Sequence, residues 1–253
     1  MTMTNTTTST ATAAPAPTPM LSLAGLSASY DGVRILDRID LQLAAGETLA
    51  LLGRNGAGKT TLISALLNLE PTVGGRVAIK GHDVSGWPTH RIARLGVALV
   101  PQGRGVFPSL TVEESLRMAT LWNKSRARGW DLARVYDTFP RLAERRRSSS
   151  GALSGGERQL LAIARALLTQ ADFIILDEPS EGLAPLAIED VIIGSVGRLA
   201  REGLTMIVAE QNVAMALRLA TRAVVLAHGR IVFDGAPAAL LADKDLQREH
   251  LGL

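Results

Sequence analysis

The chain has 253 residues, enough for one large domain or a core with a subdomain. Its 47% hydrophobic content and mean hydropathy of +0.18 describe a well-buried globular protein; no apolar run reaches the roughly eighteen residues needed to span a bilayer. There is no cysteine, which excludes disulfides and thiolate metal sites, and the four histidines (His82, His90, His228, His250) lack ligand spacing. A net charge of +3 and an isoelectric point near 9.7 reflect a small arginine excess, which argues against nucleic acid as the main partner.

Residues 1–20 are almost entirely Thr, Ala, Pro and Ser without a charged side chain, and lack the basic start and Leu-rich centre of a signal peptide. They predict a disordered cytoplasmic tail, because such a segment buries too little apolar surface to order itself. From Leu21 the pattern changes to short strands, Leu21–Leu26, Ile35–Leu41 and Arg76–Lys80, separated by turn signals at Asp31-Gly32 and Gly74-Gly75. Between them the apolar run Thr48–Leu52 predicts a strand, and Thr61–Leu69 a helix. Val97–Val100 is a further strand, ending at Pro101-Gln102. Residues 108–150 differ: Thr111 opens a helix and polar, Arg-rich stretches follow, which predicts a helical subdomain inserted at roughly 103–168. Then come a helix Ser154–Leu168, a strand Phe173–Leu176, a helix Leu186–Arg201, and strands Thr205–Ala209, Ala223–Ala227 and Ile231–Phe233, closed by a short helix. Strands alternating with helices predict an α/β fold with a mainly parallel sheet covered on both faces, over residues 21–253.

Three motifs carry chemistry. Gly53-Arg54-Asn55-Gly56-Ala57-Gly58-Lys59-Thr60, followed by Thr61, sits between a strand and a helix. Glycines there let backbone N–H groups turn inward around phosphate oxygens, and the helix N-terminus adds positive partial charge. Lys59 is placed to bridge the β- and γ-phosphates and the Thr60 hydroxyl to ligate Mg²⁺. The run Phe173–Asp177 ends in two carboxylates: Asp177 is expected near Mg²⁺, and Glu178, facing the other way along the strand, is expected to polarise an attacking water. Leu153-Ser154-Gly155-Gly156-Glu157 opens an amphipathic helix. Ser154 and Glu157 make a capping box, and the two glycines leave N–H groups open to an anion, one that a second subunit's nucleotide would supply.

This set resembles the nucleotide-binding subunit of an ABC transporter over essentially all of residues 21–253. The motifs are Walker A (Gly53–Thr60), Gln102 of a Q-loop, the signature Leu153–Glu157, and Walker B (Phe173–Asp177) with Glu178. The resemblance implies a P-loop NTPase fold: a RecA-like core, an antiparallel β-subdomain and the inserted helical subdomain. It implies ATP and Mg²⁺ as cofactors, adenine stacked on Tyr30, Gln102 and Asp177 near Mg²⁺ and water, Glu178 as base, and Gln211 at the switch position. There most members carry histidine, and an amide donates a hydrogen bond without carrying charge. Ala184 likewise replaces the usual D-loop aspartate.

Val100–Glu114, Glu178–Pro185, Val208–Asn212 and Arg248–Leu253 look like the branched-chain amino acid importer type (LivF-like). The related urea and short-chain amide importers share Pro101-Gln102-Gly-Arg104 and stay open. The resemblance implies two membrane permease subunits, a second, non-identical ATPase subunit and an external solute-binding protein, with this chain at the cytoplasmic side of the inner membrane. An ABC ATPase acting on nucleic acid or the ribosome is a different class, in which Arg145-Arg146-Arg147 would touch phosphate; a solvated face is the simpler reading of that run. A scaffold gated by nucleotide without hydrolysis conflicts with the intact Glu178. Trp87, Trp122 and Trp130 read as packing residues, with Trp122 alternatively lining a groove for a permease helix.

Overall fold

A computed structural model describes residues 18–121 and 129–253. The expected tail through residue 17 and Trp122 lie outside the described residues. Met20 is buried and its carbonyl accepts from the Lys80 amide, so packing begins just before Leu21.

Strand β1 (Leu21–Tyr30) turns through Asp31-Gly32 into β2 (Val33–Leu43). Both are longer than their alternation predicts. The register shifts around Leu23, Leu26 and Ala28, which breaks the period-two pattern while pairing continues to Tyr30 and Val33. Strand β3 (Thr48–Leu52) enters the glycine loop and helix α1 (Lys59–Leu66). Strands β4 (Thr72–Ile79) and β5 (His82–Asp83) then complete an antiparallel sheet in the order β2-β1-β4-β5.

Helix α2 (Thr89–Arg94), unmarked in the sequence pattern, leads to β6 (Val97–Val100). The insertion follows as α3 (Val112–Thr120), α4 (Leu132–Thr138) and α5 (Pro140–Glu144), and returns through α6 (Gly155–Leu168) to β7 (Phe173–Asp177). Thr111 starts α3 with a complete capping box to Glu114. A continuous helix then runs from α7 (Pro185–Ala187) through wide turns at Ile188–Val196 into α8 (Gly197–Arg201). Strand β8 (Thr205–Glu210), α9 (Val213–Leu219), β9 (Arg222–Ala227) and β10 (Arg230–Gly235) follow, then α10 (Pro237–Ala242) and α11 (Lys244–Leu246).

The main sheet has the order β10-β9-β3-β8-β7-β6, parallel except for the β9/β10 pair. Its central strands are buried throughout and mostly apolar because both faces are covered. Leu49, Leu51, Phe173, Ile175, Ile207 and Ala209 pack toward α1 and the antiparallel sheet. Ile174, Leu176, Met206 and Val208 pack with α6, α9 and the 185–201 helix. Trp87 and Trp130 lie partly buried against these two cores, under Arg91 and Arg134. The order brings the carboxyl ends of β3, β8, β7 and β6 side by side, so the loops leaving them share one edge.

Candidate active site

Gly53 follows β3 with φ 156°, and a Cβ there would lie 2.4 Å from the Leu226 carbonyl oxygen, so only glycine lets the loop pass. Gly58, at φ 107°, starts α1 with no side-chain cap, which leaves the first-turn N–H groups to another acceptor. Lys59 is buried and donates from Nζ to the Gly53 carbonyl at 2.9 Å. Thr60 Oγ1 donates to Asp177 Oδ2 at 3.2 Å, which joins the loop after β3 to the end of β7.

Asp177 is buried, and its Oδ1 accepts no hydrogen bond. Burial pushes its carboxyl above the usual range, and the neighbouring Glu178 and Glu210 carboxylates push the same way against Thr60 and Lys59. A hydroxyl beside an orphaned carboxylate oxygen is a hard-oxygen donor set that fits Mg²⁺.

Glu178 departs from strand alternation. Its φ of 46° turns the chain at the strand end, and its Oε1 comes within 3.3 Å of Lys59 Nζ.

Tyr30, Asn55, Gly56, Gly58, Lys59, Thr60, Thr61, Gln102, Glu178 and Gln211 line one cleft of about 540 Å³. Arg54 and Ala57 lie on the outer side of the loop, beside His228, Glu249 and His250. The signature residues are not among the residues lining the cleft. Ser154 Oγ accepts from the Glu157 amide at 3.2 Å, and Glu157 Oε2 accepts from the Ser154 amide at 2.7 Å. Burial raises the Glu157 carboxyl, but bonds from Ser154 and Arg145 outweigh it and hold the group below the usual range. Arg145 thus pairs with Glu157, at 3.4 Å.

Two residues without a role in the sequence reading join these loops. Glu210, 2% exposed, accepts from the Ser180, Gln211 and Asn212 amides at 2.8, 3.1 and 3.2 Å. It therefore holds the loop after Glu178 against the loop of Gln211. The signal was present: like Asp177, it is a carboxylate ending an apolar strand run. Arg104 donates to the Glu181 carbonyl at 2.6 Å and to Gln159 Oε1 at 3.2 Å.

Behind Gln102 a largely apolar groove of about 470 Å³ runs between β6, α3 and α6, lined by Leu99, Pro101, Met118, Ala119 and Ala162. Arg165 borders it, donating to the Gly105 carbonyl at 2.6 Å, with a buried Nε that has no partner. Phe107, Met118 and Leu121 are exposed nearby. Among the described residues no helix is long and apolar enough to cross a membrane.

A phosphate cradle at a parallel-sheet edge, with a lysine, a hydroxyl and two carboxylates facing it, defines a P-loop nucleoside triphosphatase. The ABC transporter family matches residues 36–181. The chain is 40% identical over 233 residues to the high-affinity branched-chain amino acid transport ATP-binding protein BraG of Pseudomonas aeruginosa, covering 92% of this chain and 100% of that protein. It is 34% identical to the lipopolysaccharide export system ATP-binding protein LptB of Escherichia coli K12, covering 92% and 97%. A solved ATP-binding subunit of an ABC transporter superposes with a TM-score of 0.76 at 28% identity, covering 92% and 96%. The chain belongs to the ABC transporter ATP-binding family and is an ABC-type ATPase subunit.

Proposed function

We propose that this chain powers a membrane importer for branched-chain amino acids. The observation that carries its catalytic part is that Lys59, Thr60 and Glu178 line one cleft, with Asp177 bonded to Thr60 and Lys59 beside Glu178. The solute class rests on the similarity to BraG and on the importer-like stretches.

In this reading the amides of Gly53–Thr61 and Lys59 Nζ hold the ATP phosphates, and Tyr30 stacks on adenine. Thr60, Asp177 and Gln102 would hold Mg²⁺, which neutralises phosphate charge when bound. The phosphates draw Lys59 away from Glu178, and Glu178 takes a proton from the water that attacks the γ-phosphorus, giving ADP and phosphate. Gln211 donates to the γ-phosphate through its amide. Ser154, Gly155, Gly156 and Glu157 close over the nucleotide of a second ATPase subunit, arranged head to tail and non-identical. The groove behind Gln102 receives a cytoplasmic helix of a permease subunit, which puts the chain on the cytoplasmic face of the inner membrane as a peripheral protein. Nucleic acid is not a partner in this reading.

A gentle-detergent pull-down of the tagged protein from native membranes tests the assembly. Recovery of two multi-spanning permeases, a second ATPase and a solute-binding protein is expected, and the binding protein is then titrated with Leu, Ile and Val. Binding of urea or short-chain amides instead reassigns the solute. A lipopolysaccharide-export partner set, which the LptB similarity favours, reassigns the direction. Ribosomes or nucleic acid without a permease sinks the transporter partners altogether.

A further inference from the structure

Arg104 stands where three parts of the molecule meet. It lies two residues beyond Gln102 in a left-handed conformation, φ 72°, which a non-glycine residue adopts only when its surroundings hold it there. Its side chain forms part of the wall of the groove between β6, α3 and α6. From there Nε reaches Gln159 Oε1 on α6, and Nη2 reaches the Glu181 carbonyl. Glu181 is in turn fixed to the catalytic loop, because its amide donates to the Glu178 carbonyl at 3.1 Å.

We infer that Arg104 is a positioning residue that links the groove to the Glu178 loop through the Glu181 carbonyl. Gln159 supports this geometry. It is 2% exposed, its Nε2 has no partner, and its Oε1 is the atom turned to the guanidinium. A planar guanidinium spans both acceptors at once, whereas an ammonium holds them less well. A displacement of the groove wall is therefore carried to the turn that aims Glu178, by way of one side chain and two hydrogen bonds. The groove end of the link rests on the docking reading given above; the Glu181 end does not.

The Glu181 end is tested in the assembled membrane complex by ATP turnover of Arg104→Ala and Arg104→Lys. The Ala variant is expected to lose about tenfold in kcat with KM for ATP changed less than about twofold. The Lys variant is expected to recover part of that loss. Amide exchange at Glu181–Leu183 is expected to quicken while Tm stays put, a pattern that general loosening does not give. Wild-type kcat, a KM shift equal to the kcat loss, a matching fall in Tm, or a Lys variant as slow as Ala would each overturn the assignment. The groove end is tested separately with Met118→Glu in the native pull-down. Loss of the membrane subunits there, with Arg104→Ala retaining them, supports the link. Retention of the membrane subunits by Met118→Glu overturns docking at the groove and with it that end of the link, while the kinetic result still judges the other end.

Discussion

The two helix starts marked by glycine, at Gly58 and at Gly155-Gly156, meet the same shortage of acceptors in opposite ways. Every α-helix leaves its first N–H groups unpaired. At α1 no side chain caps them, and a buried lysine is added in the first turn. At α6 the Ser154–Glu157 box satisfies two of them and puts a carboxylate into the first turn, with Arg145 beside it. The first end is built to hold polyphosphate unaided. The second keeps only its glycine amides for an outside anion, and the two arginines beside it are already engaged, Arg145 with Glu157 and Arg158 with the Leu153 carbonyl. It suits a nucleotide already anchored by another chain, which is the arrangement a head-to-tail pair of subunits provides.

The largest expected effect comes from the first of these regions. Glu178→Gln should lower phosphate release by about 10²–10⁴-fold, since it removes the proton acceptor and leaves the cradle intact. ATP binding should persist, and gel filtration with ATP and the partner ATPase should show a trapped dimer. Full turnover in the variant would take Glu178 out of the role of base.

Ser154→Ala probes the second region. It should lower helix stability by about 1 kcal/mol through loss of the cap and lower turnover, with ATP affinity of the single chain unchanged. Equal losses in single-chain affinity and turnover would mean that α6 serves its own cleft, and the contrast between the two helix starts would collapse.

Glu210→Gln asks how the carboxyl-end loops are kept in register. An amide nitrogen in place of one carboxylate oxygen faces backbone N–H groups that need an acceptor. A stability loss of about 1–3 kcal/mol is expected, together with a fall in kcat larger than any change in KM. Stability and turnover both at wild-type levels would leave Glu210 as an incidental buried acid.

The sequence makes some of this legible and hides the rest for a physical reason. Lys59, Thr60 and Asp177 are readable because each is tied to its neighbours by local order: strand, glycine loop, helix, or an apolar run ending in acid. The parallel core is readable from uninterrupted runs such as Phe173–Ile175. Glu178 is readable as the acid after the strand, while the positive φ that turns the chain there is not. Glu210 is readable as an acid ending an apolar run, but its bond from Ser180, 30 residues away, and the bond from Arg104 to Glu181, 77 residues away, are hidden, since only the sheet order brings them together. The ends of β1 and β2 are blurred by register shifts that no period-two pattern anticipates.

The smallest effect concerns the charge stored at Asp177. Its carboxyl is raised above the ordinary 3.8 first by burial, so the folded chain binds that proton more tightly than the unfolded one. The group therefore favours folding at pH below the unfolded value, and this contribution is lost as pH rises through the folded value. In EDTA, Asp177→Asn should raise Tm by a few degrees at pH 7–8, and the gain should shrink as pH falls toward 3.8. Added Mg²⁺ should narrow the gap at neutral pH, because only the wild-type carboxylate has an anionic orphan oxygen to offer it. A gain that is flat with pH would mean the asparagine acts by packing, and a gap untouched by Mg²⁺ would remove Asp177 from the metal site.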